Sequence, residues 1–527
     1  METYQMIAKT LPGLEQVLAQ ELTELGANDV EIGRRMVAFS GDKEMMYRAN
    51  FCLRTALRIL KTLTTFHAET PDEVYEMVQN VKWEEFLDTG MTFSVDAVVY
   101  SEEFRHSKFV AYRVKDAIAD YFRNREDRRP NISLTQPDLR VHLHIADTQC
   151  TLALDSSGDS LHLRGYRVAS CAAPMNEVLA AGLLKLAGWK GDCNFIDPFC
   201  GSGTIAIEAA LMARNIYPGI FRKEYGFEKW KDFDRDLLDQ IYNDDSEEKD
   251  FRFRIYAYDI NRPTLASAEA NAKAAGVSDA ITFEQRDFRE FEQPEMPAMI
   301  VTNPPYGQRL TPPDILELYK SIGQRLKHEF KGGDAWIICA KEECFDAIGL
   351  RPSVKYQLFN GALDCELRKY QMFDGRMDAF RMSGGDIKNA EERRHMQEKH
   401  RSRTLRTTFS RARGEGDEQD VDEQYRILEH KHAEFERNRV FLERAEEKRR
   451  RREERREHGF QKGEETFPRR GGMNDRKGGF QRNEGGFQKR AGGFKGHNER
   501  DNRFGGARGK SGRAGGFGSH RTGGRGR

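Results

Sequence analysis

The apolar and polar positions of the first 60 residues change period as the chain proceeds. Residues 4–8 can form a strand, and Leu11-Pro12-Gly13 makes a turn. Leu14, Val17, Leu18, Leu22 and Leu25 then fall on one helical face, with Gly26 as a stop, and residues 37–40 read as a returning strand. A second α+β unit runs from about 61 to 165. Residues 92–99 and 141–146 alternate like half-buried strands, and 109–122 between them is helical. Leucines at 152, 154, 161 and 163 flank Asp155-Ser156-Ser157-Gly158-Asp159, which predicts a hairpin turn.

From about 166 to 381 strands and helices alternate, as in an α/β domain with a doubly wound parallel sheet. Strands are predicted over 194–196, 255–258, 280–284, 298–302, 335–339 and 356–360, and helices over 205–213 and 263–275. The aromatic, charged stretch 215–250 reads as an insertion. Residues 382–457 are dense in Glu, Lys and Arg and predict an exposed helical extension. In 458–527 Gly-Gly-Phe recurs among Arg, Lys and Asn, at 478–480, 485–487, 492–494 and 515–517. That composition predicts a disordered tail.

Charge sharpens this division. The chain carries 85 Lys+Arg and 85 Asp+Glu, a net charge of zero. Residues 451–527 hold 21 against 9, a net of +12, leaving −12 (64 against 76) on the rest. A basic tail on an acidic body predicts a polyanionic partner. The eight cysteines show no CxxC spacing, so neither a disulfide framework nor a metal site is expected. Residues 1–22 lack a basic-then-apolar signal pattern and no apolar run is long enough to span a bilayer, so a cytoplasmic enzyme is expected.

Two motifs carry the candidate chemistry. Asp197-Pro198-Phe199-Cys200-Gly201-Ser202-Gly203-Thr204 is a glycine-rich turn between a strand and a helix, where backbone amides can meet a carboxylate or phosphate. Gly201-x-Gly203-x-x-Ala206 also fits a dinucleotide fingerprint, and alone it is weak. Asp259 ends the next strand, placed to accept from ribose hydroxyls or to cap the following helix. Asp287 follows the third, placed to accept from an adenine amine with Phe288 flanking the ring; alone it reads as a loop carboxylate. Asn303-Pro304-Pro305-Tyr306 follows the fourth. An aromatic amine is a poor nucleophile because its lone pair is delocalised. The Asn303 side-chain oxygen and the Pro304 carbonyl can accept its two hydrogens and aim that lone pair. Tyr306 can stack on the base, and the two prolines stiffen the loop. Together the motifs describe a methyl-donor site facing an amino-group acceptor, with no metal required.

With these motifs, residues 166–381 resemble a class I (Rossmann-like) S-adenosylmethionine-dependent methyltransferase. The similarity is strongest to the THUMP-containing guanine-N2 RNA methyltransferases, and within them to the N-terminal half of the bacterial large-subunit rRNA enzyme. Asp197 through Glu208 (DPFCGSGTIAIE) carries the signature. Arg164-Gly165-Tyr166-Arg167, Ala173-Pro174-Met175-Asn176-Glu177 and Gly226-Phe227-Glu228-Lys229-Trp230 support it. Residues 1–60 resemble a ferredoxin-like unit and 61–165 a THUMP domain. The resemblance implies S-adenosylmethionine near Asp197, Gly201, Gly203, Asp259 and Asp287, with Pro198, Ser202, Thr204 and Phe288 beside them. It implies a guanine amine at Asn303 to Tyr306. Relatives in many bacteria carry a second methyltransferase domain; no second glycine turn or Pro-Pro-Tyr loop follows Arg381 here.

An RNA partner would need a surface that reads shape through phosphates. Arg105, Lys108, Arg113, Arg123, Arg125, Arg128 and Arg129 are candidates, each against the plainer reading of a solvated basic helix. Other functions stay open: adenine-N6 or amide methylation on the same loop, or an RNA-binding assembly factor without catalysis. A dehydrogenase would leave Asn303 to Tyr306 without a role.

Overall fold

The computed structural model describes residues 2–171, 174–294, 297–306 and 312–373. The predicted extension at 382–457 and the predicted tail at 458–527 lie outside them. The N-terminal part contains β1 (Tyr4–Lys9), α1 (Glu15–Leu25), β2 (Asn28–Gly33), β3 (Met36–Gly41), α2 (Lys43–Cys52) and β4 (Arg58–His67). It continues through α3 (Pro71–Gln79), β5 (Thr92–Tyr100), α4 (Ser107–Glu126), β6 (Asn131–Ile132), β7 (Leu139–Ala146) and β8 (Gln149–Asp155). The catalytic-type part contains α5 (Glu177–Ala187), β9 (Asn194–Asp197), α6 (Thr204–Ala213), α7 (Arg235–Tyr242), β10 (Ile255–Asp259), α8 (Arg262–Ala274), β11 (Ile281–Gln285) and β12 (Ala298–Thr302). It ends with α9 (Pro312–Glu329), β13 (Asp334–Cys339), α10 (Glu342–Ile348), β14 (Val354–Asn360) and β15 (Leu363–Gln371).

Residues 4–155 do not form two separate sheets. One eight-stranded sheet runs β2-β3-β1-β4-β8-β7-β5-β6. β4 pairs antiparallel with β1 on one side and β8 on the other, so it crosses the expected boundary at residue 60. Gly26 ends α1 in the left-handed conformation (φ 92°) that a residue without Cβ adopts freely. The predicted 155–159 hairpin is not formed. The β7–β8 turn lies at Asp147–Thr148, and 161–163 is not a strand. Side chains satisfy that backbone instead. Ser156 Oγ donates to the Ile59 carbonyl, and Arg222 donates to the carbonyls of Ser157, Asp159, Ser160 and Leu163.

The second sheet has seven strands in the order β11-β10-β9-β12-β13-β15-β14. β9 to β13 are parallel, and β15 runs antiparallel between β13 and β14. From β9 the chain winds outward through β10 and β11, then returns to the other side of β9 as β12. The β9/β12 junction is therefore the topological switch point, where open α/β sheets bind their ligands.

The insertion at 215–250 packs on the N-terminal core rather than its own domain. Tyr225, Phe227, Trp230 and Leu238 are buried in that core, and the Phe227 ring stacks 4.0 Å from Tyr47. Lys231 Nζ donates to the Glu84 and Leu87 carbonyls, each at 2.9 Å. A buried ionic knot adds to the join. Glu208 on α6 pairs with Arg164 at 3.5 Å and accepts from Tyr166 Oη at 3.0 Å. Arg164 in turn donates to the Arg54 carbonyl beyond α2.

Candidate active site

The carboxyl ends of β9, β10 and β12 carry Asp197, Asp259 and the Asn303 loop, around the switch point. Asp197 is fully buried. Its Oδ1 accepts from Thr302 Oγ1 at 2.6 Å, which ties the glycine turn to the residue just before Asn303. Its Oδ2 is buried with no hydrogen-bond partner among the described residues. Burial raises the carboxyl to about 7; the Thr302 and Phe199 hydrogen bonds oppose the rise and nearby Asp259 adds to it. Asn303 Oδ1 is likewise buried and without a partner. Two orphaned acceptors at neighbouring strand ends are costly unless a ligand supplies donors.

The glycine turn divides its labour among its residues. Gly201 has φ 54°, and a Cβ built there would project into open space. Its amide donates to Asp259 Oδ2 at 3.1 Å. Asp259 Oδ1 accepts from Asn261 N at 2.8 Å, so the carboxylate is oriented by backbone yet half-exposed. Helix α8 is capped by Asn261, not Asp259. Ile260, next to Asp259, is 63% exposed and was not singled out in the sequence; an isoleucine held in water beside a strand-end carboxylate is the signal that marks it.

Several expected cofactor contacts are otherwise engaged. Ser202 and Thr204 are buried, and their hydroxyls accept from Arg167 at 3.0 Å each. Gly203 (φ 83°) serves helix packing, since a Cβ there would lie 2.9 Å from the Ala268 Cβ on α8. Pro198 is buried within the turn. Asp287 accepts from Arg289 N at 2.9 Å and pairs with the Arg289 guanidinium at 2.5 Å, which holds its carboxyl below the usual range. An adenine amine would compete with that pair. Phe288 is only 5% exposed, stacked between Phe199 and Phe291 at 5.3 Å each, so it cannot flank a ring as expected. Phe199, half-buried beside it, presents more surface.

Arg167, named only within the entry segment, and Asn271 were given no role because their partners in the glycine turn lie far off in sequence. Arg167 also reaches Glu177 at 2.8 Å and the Met175 carbonyl at 3.0 Å. Asn271 Oδ1 accepts from Val168 N and Ala169 N at 2.9 Å each, while its Nδ2 donates to the Ser202 carbonyl at 3.1 Å. The segment entering the domain is thereby strapped to the glycine turn.

In the acceptor loop Pro304 is buried, Pro305 exposed and Tyr306 half-buried against both apolar clusters of the domain. The Tyr306 hydroxyl accepts from Asn360 Nδ2 at 2.7 Å, at the tip of the β14–β15 hairpin. Burial keeps that phenol protonated far above its ordinary range. The ring predicted to stack on a base is thus also an anchor.

On α4 and the loops that flank it, Arg105, Lys108, Arg123, Arg125, Arg128 and Arg129 are exposed. Arg113 is not free as expected: it pairs with Asp72 at 2.6 Å and lies 4.4 Å over the Tyr75 ring. Arg123 pairs with Asp120 at 2.5 Å, and Arg125 covers Tyr121 at 3.6 Å. Among the described residues no helix is long and apolar enough to cross a membrane, and no group of three His, Cys, Asp or Glu could hold a metal ion.

Comparison with known proteins gives this geometry a family. Residues 164–369 match the RMKL-like methyltransferase domain, 5–60 the RlmL ferredoxin-like domain and 68–155 the THUMP domain. A relative in Synechocystis sp. is 36% identical over 364 residues, covering 68% of this chain and 95% of that protein. The chain belongs to the RMKL-like methyltransferase family. The ribosomal RNA large subunit methyltransferase K/L of Syntrophotalea carbinolica is 39% identical over 378 residues, 69% of this chain and 53% of the relative. The chain therefore spans about half the length of several K/L relatives it matches. Two solved structures share the RMKL-like architecture. SMU.472, crystallised with SAH, superposes with a TM-score of 0.65 at 28% identity over 71% of this chain and all of that one. A Listeria monocytogenes protein titled a predicted N6-adenine-specific DNA methylase gives 0.64 at 30% identity, over 71% and 97%.

Proposed function

We propose that the chain is an S-adenosylmethionine-dependent RNA methyltransferase that methylates the exocyclic N2 amine of a guanosine in large-subunit ribosomal RNA. The observation that carries the reading is the pair of orphaned acceptors, Asp197 Oδ2 and Asn303 Oδ1, on adjacent strands at the switch point. The residues present suit the cofactor. Asp259 would hold ribose hydroxyls, Gly201 leaves room at the turn, and Asp197 would accept from an ammonium group. When bound, S-adenosylmethionine supplies an electrophilic methyl on a sulfonium.

Asn303 Oδ1 and the Pro304 carbonyl accept the two amine hydrogens, hold the nitrogen in line and favour the positive charge that grows on it. The new N–C bond forms as the C–S bond breaks, giving the thioether product, and the nitrogen then loses a proton to water. No base is needed, because the methylated ammonium is strongly acidic. The THUMP match and the names of the K/L relatives support ribosomal RNA as the substrate, and a cytoplasmic place of action is part of the same proposal.

The test is to incubate the purified protein with methyl-labelled S-adenosylmethionine and rRNA from cells lacking its gene, then identify the labelled nucleoside. N2-methylguanosine is expected. N6-methyladenosine would favour the second reading, which the same loop chemistry allows and the likeness to the Listeria protein suggests. No label on naked rRNA or on precursor particles would favour a non-catalytic assembly factor.

A further inference from the structure

The turn that opens α1 crosses from the N-terminal part into the methyltransferase core. By spacing, Leu14 belongs with Leu18 and Leu22, and those two fill the N-terminal core. Leu14 is fully buried too, but in the apolar cluster that holds Leu358 of β14 and Cys365 of β15. Leu11, Val17 and Leu57 pack against that cluster from the N-terminal side, and Tyr306 packs against it from the acceptor loop.

The seat of this knob is shaped by two glycines. A Cβ built on Gly182 of α5 would lie 2.5 Å from Leu14 Cδ1, so only a glycine leaves that room. Gly13 (φ 88°) lies flat on β14: a Cβ there would fall 2.4 Å from the Gln357 carbonyl oxygen and 3.0 Å from Leu358 Cδ2. The Glu15 carboxylate accepts from Gly13 N at 2.8 Å and from Arg35 N at 3.0 Å, which fixes the turn. Lys185 on α5 pairs with Glu21 on α1 at 3.4 Å and holds the two helices together.

Strand β14 needs such a buttress. It is the last strand of its sheet and pairs with β15. Leu358 stands opposite Cys365, and Asn360 ends the strand opposite Leu363. Positions two apart share a face, so Asn360 lies on the side where Leu358 is buried. There Asn360 Nδ2 donates to the Tyr306 hydroxyl at 2.7 Å. One strand and one hydrogen bond therefore separate the knob from the acceptor loop. A close-packed core leaves little slack along that route. In a reaction that depends on aiming a lone pair, a misplacement of about 1 Å can cost about a hundredfold in rate.

We propose that Leu14, seated by Gly13 and Gly182, is a positioning residue for methyl transfer: it holds the β14–β15 hairpin so that Asn360 fixes Tyr306 and, with it, the Asn303 and Pro304 acceptors. This rests on the transfer reaction proposed above and adds that the N-terminal part sets the geometry of the acceptor loop.

The experiment compares the full-length protein with Leu14→Ala, Asn360→Ala and the double variant. Three quantities are read: S-adenosylmethionine affinity by calorimetry, kcat and KM on the rRNA substrate, and the fluorine NMR signal of 3-fluorotyrosine placed at position 306 in the ligand-free protein. Leu14→Ala should lower kcat about tenfold with cofactor affinity and KM unchanged. It should add no further loss to Asn360→Ala, and Leu14→Met, which refills the volume, should restore kcat. The fluorine signal should move in Leu14→Ala in the direction that Asn360→Ala moves it. If Leu14→Ala does not fold, Leu14→Val carries the same comparison with a smaller effect. An unmoved signal, or kcat losses that add in the double variant, would overturn the proposal. A native protein that transfers no methyl group while the signal still moves would overturn the proposed activity and leave the link from Leu14 to Tyr306 standing.

Discussion

Asp197 and Thr302 join the two motifs through one short hydrogen bond. Burial holds the Asp197 carboxyl near 7, far above the value it has in an unfolded chain. The neutral form is therefore favoured by folding: its stability contribution is complete below about 4 and is lost as pH rises through about 7. Asp197→Asn, neutral and isosteric, escapes that loss. Its Tm advantage over the native protein should grow between pH 5 and pH 8 in the ligand-free state; a pH-independent gap would mean that Asp197 does not titrate there. Asn303→Ala should abolish methyl transfer with little change in S-adenosylmethionine affinity by calorimetry, and normal turnover would remove Asn303 from the mechanism. Tyr306 and Asn360 make a subtler pair. If the 2.7 Å bond fixes the loop, Tyr306→Phe and Asn360→Ala should each lower kcat about tenfold. The double variant should be no worse than either, and additive losses would show independent roles. The candidate site's positions at the strand ends were legible in the sequence because acids there and a proline-stiffened amide announce themselves locally. The engagement of Ser202 and Thr204 by Arg167, and of Asp287 by Arg289, was not: a residue type in a motif does not reveal where its lone pairs go.

At the scale of elements, periodicity served where a strand or helix buries one face. It found β1, α1, β5 and the parallel strands of the second sheet. It missed β4, where Ile59, Leu60 and Lys61 are buried in succession and alternation vanishes. It missed β15 because Asp364, Glu366, Arg368 and Lys369 read as surface, whereas Arg368 is buried and paired with Glu342 and Glu366. Helix α6 shows what long-range partners do to a motif. Glu208, the last residue of the glycine-turn signature, faces Arg164 and Tyr166 instead of the site, and Arg54 acts on it electrostatically. Burial raises its carboxyl and the two arginines oppose the rise. Glu208→Ala would leave the buried Arg164 guanidinium without its counter-ion and should cost roughly 3–5 kcal/mol, measured by urea unfolding. A loss below about 1 kcal/mol would place the knot among weakly coupled surface pairs.

For the whole molecule, the joins between parts are built from core rather than linker. Tyr225, Phe227 and Trp230 belong by sequence to the methyltransferase region and by packing to the N-terminal core. A fragment beginning at Tyr166 would expose these rings and lose Arg54 and Arg164. It should therefore be poorly packed, with strong dye binding and weak near-ultraviolet circular dichroism, while the intact chain shows neither. A well-folded fragment would show that the insertion is dispensable.

Strand β4 carries a consequence of another kind. Because it is hydrogen-bonded on both flanks, with a register shift between Thr62 and Thr64, its length in residues is an arithmetic constraint. One codon gained or lost there would turn every later side chain of the strand to the opposite face and misalign β8 behind it. The loops at 101–106 and 243–250 would absorb the same change quietly. The seam between the first two modules should thus be among the places least tolerant of insertions, although domain boundaries are ordinarily where genes are cut and joined most freely.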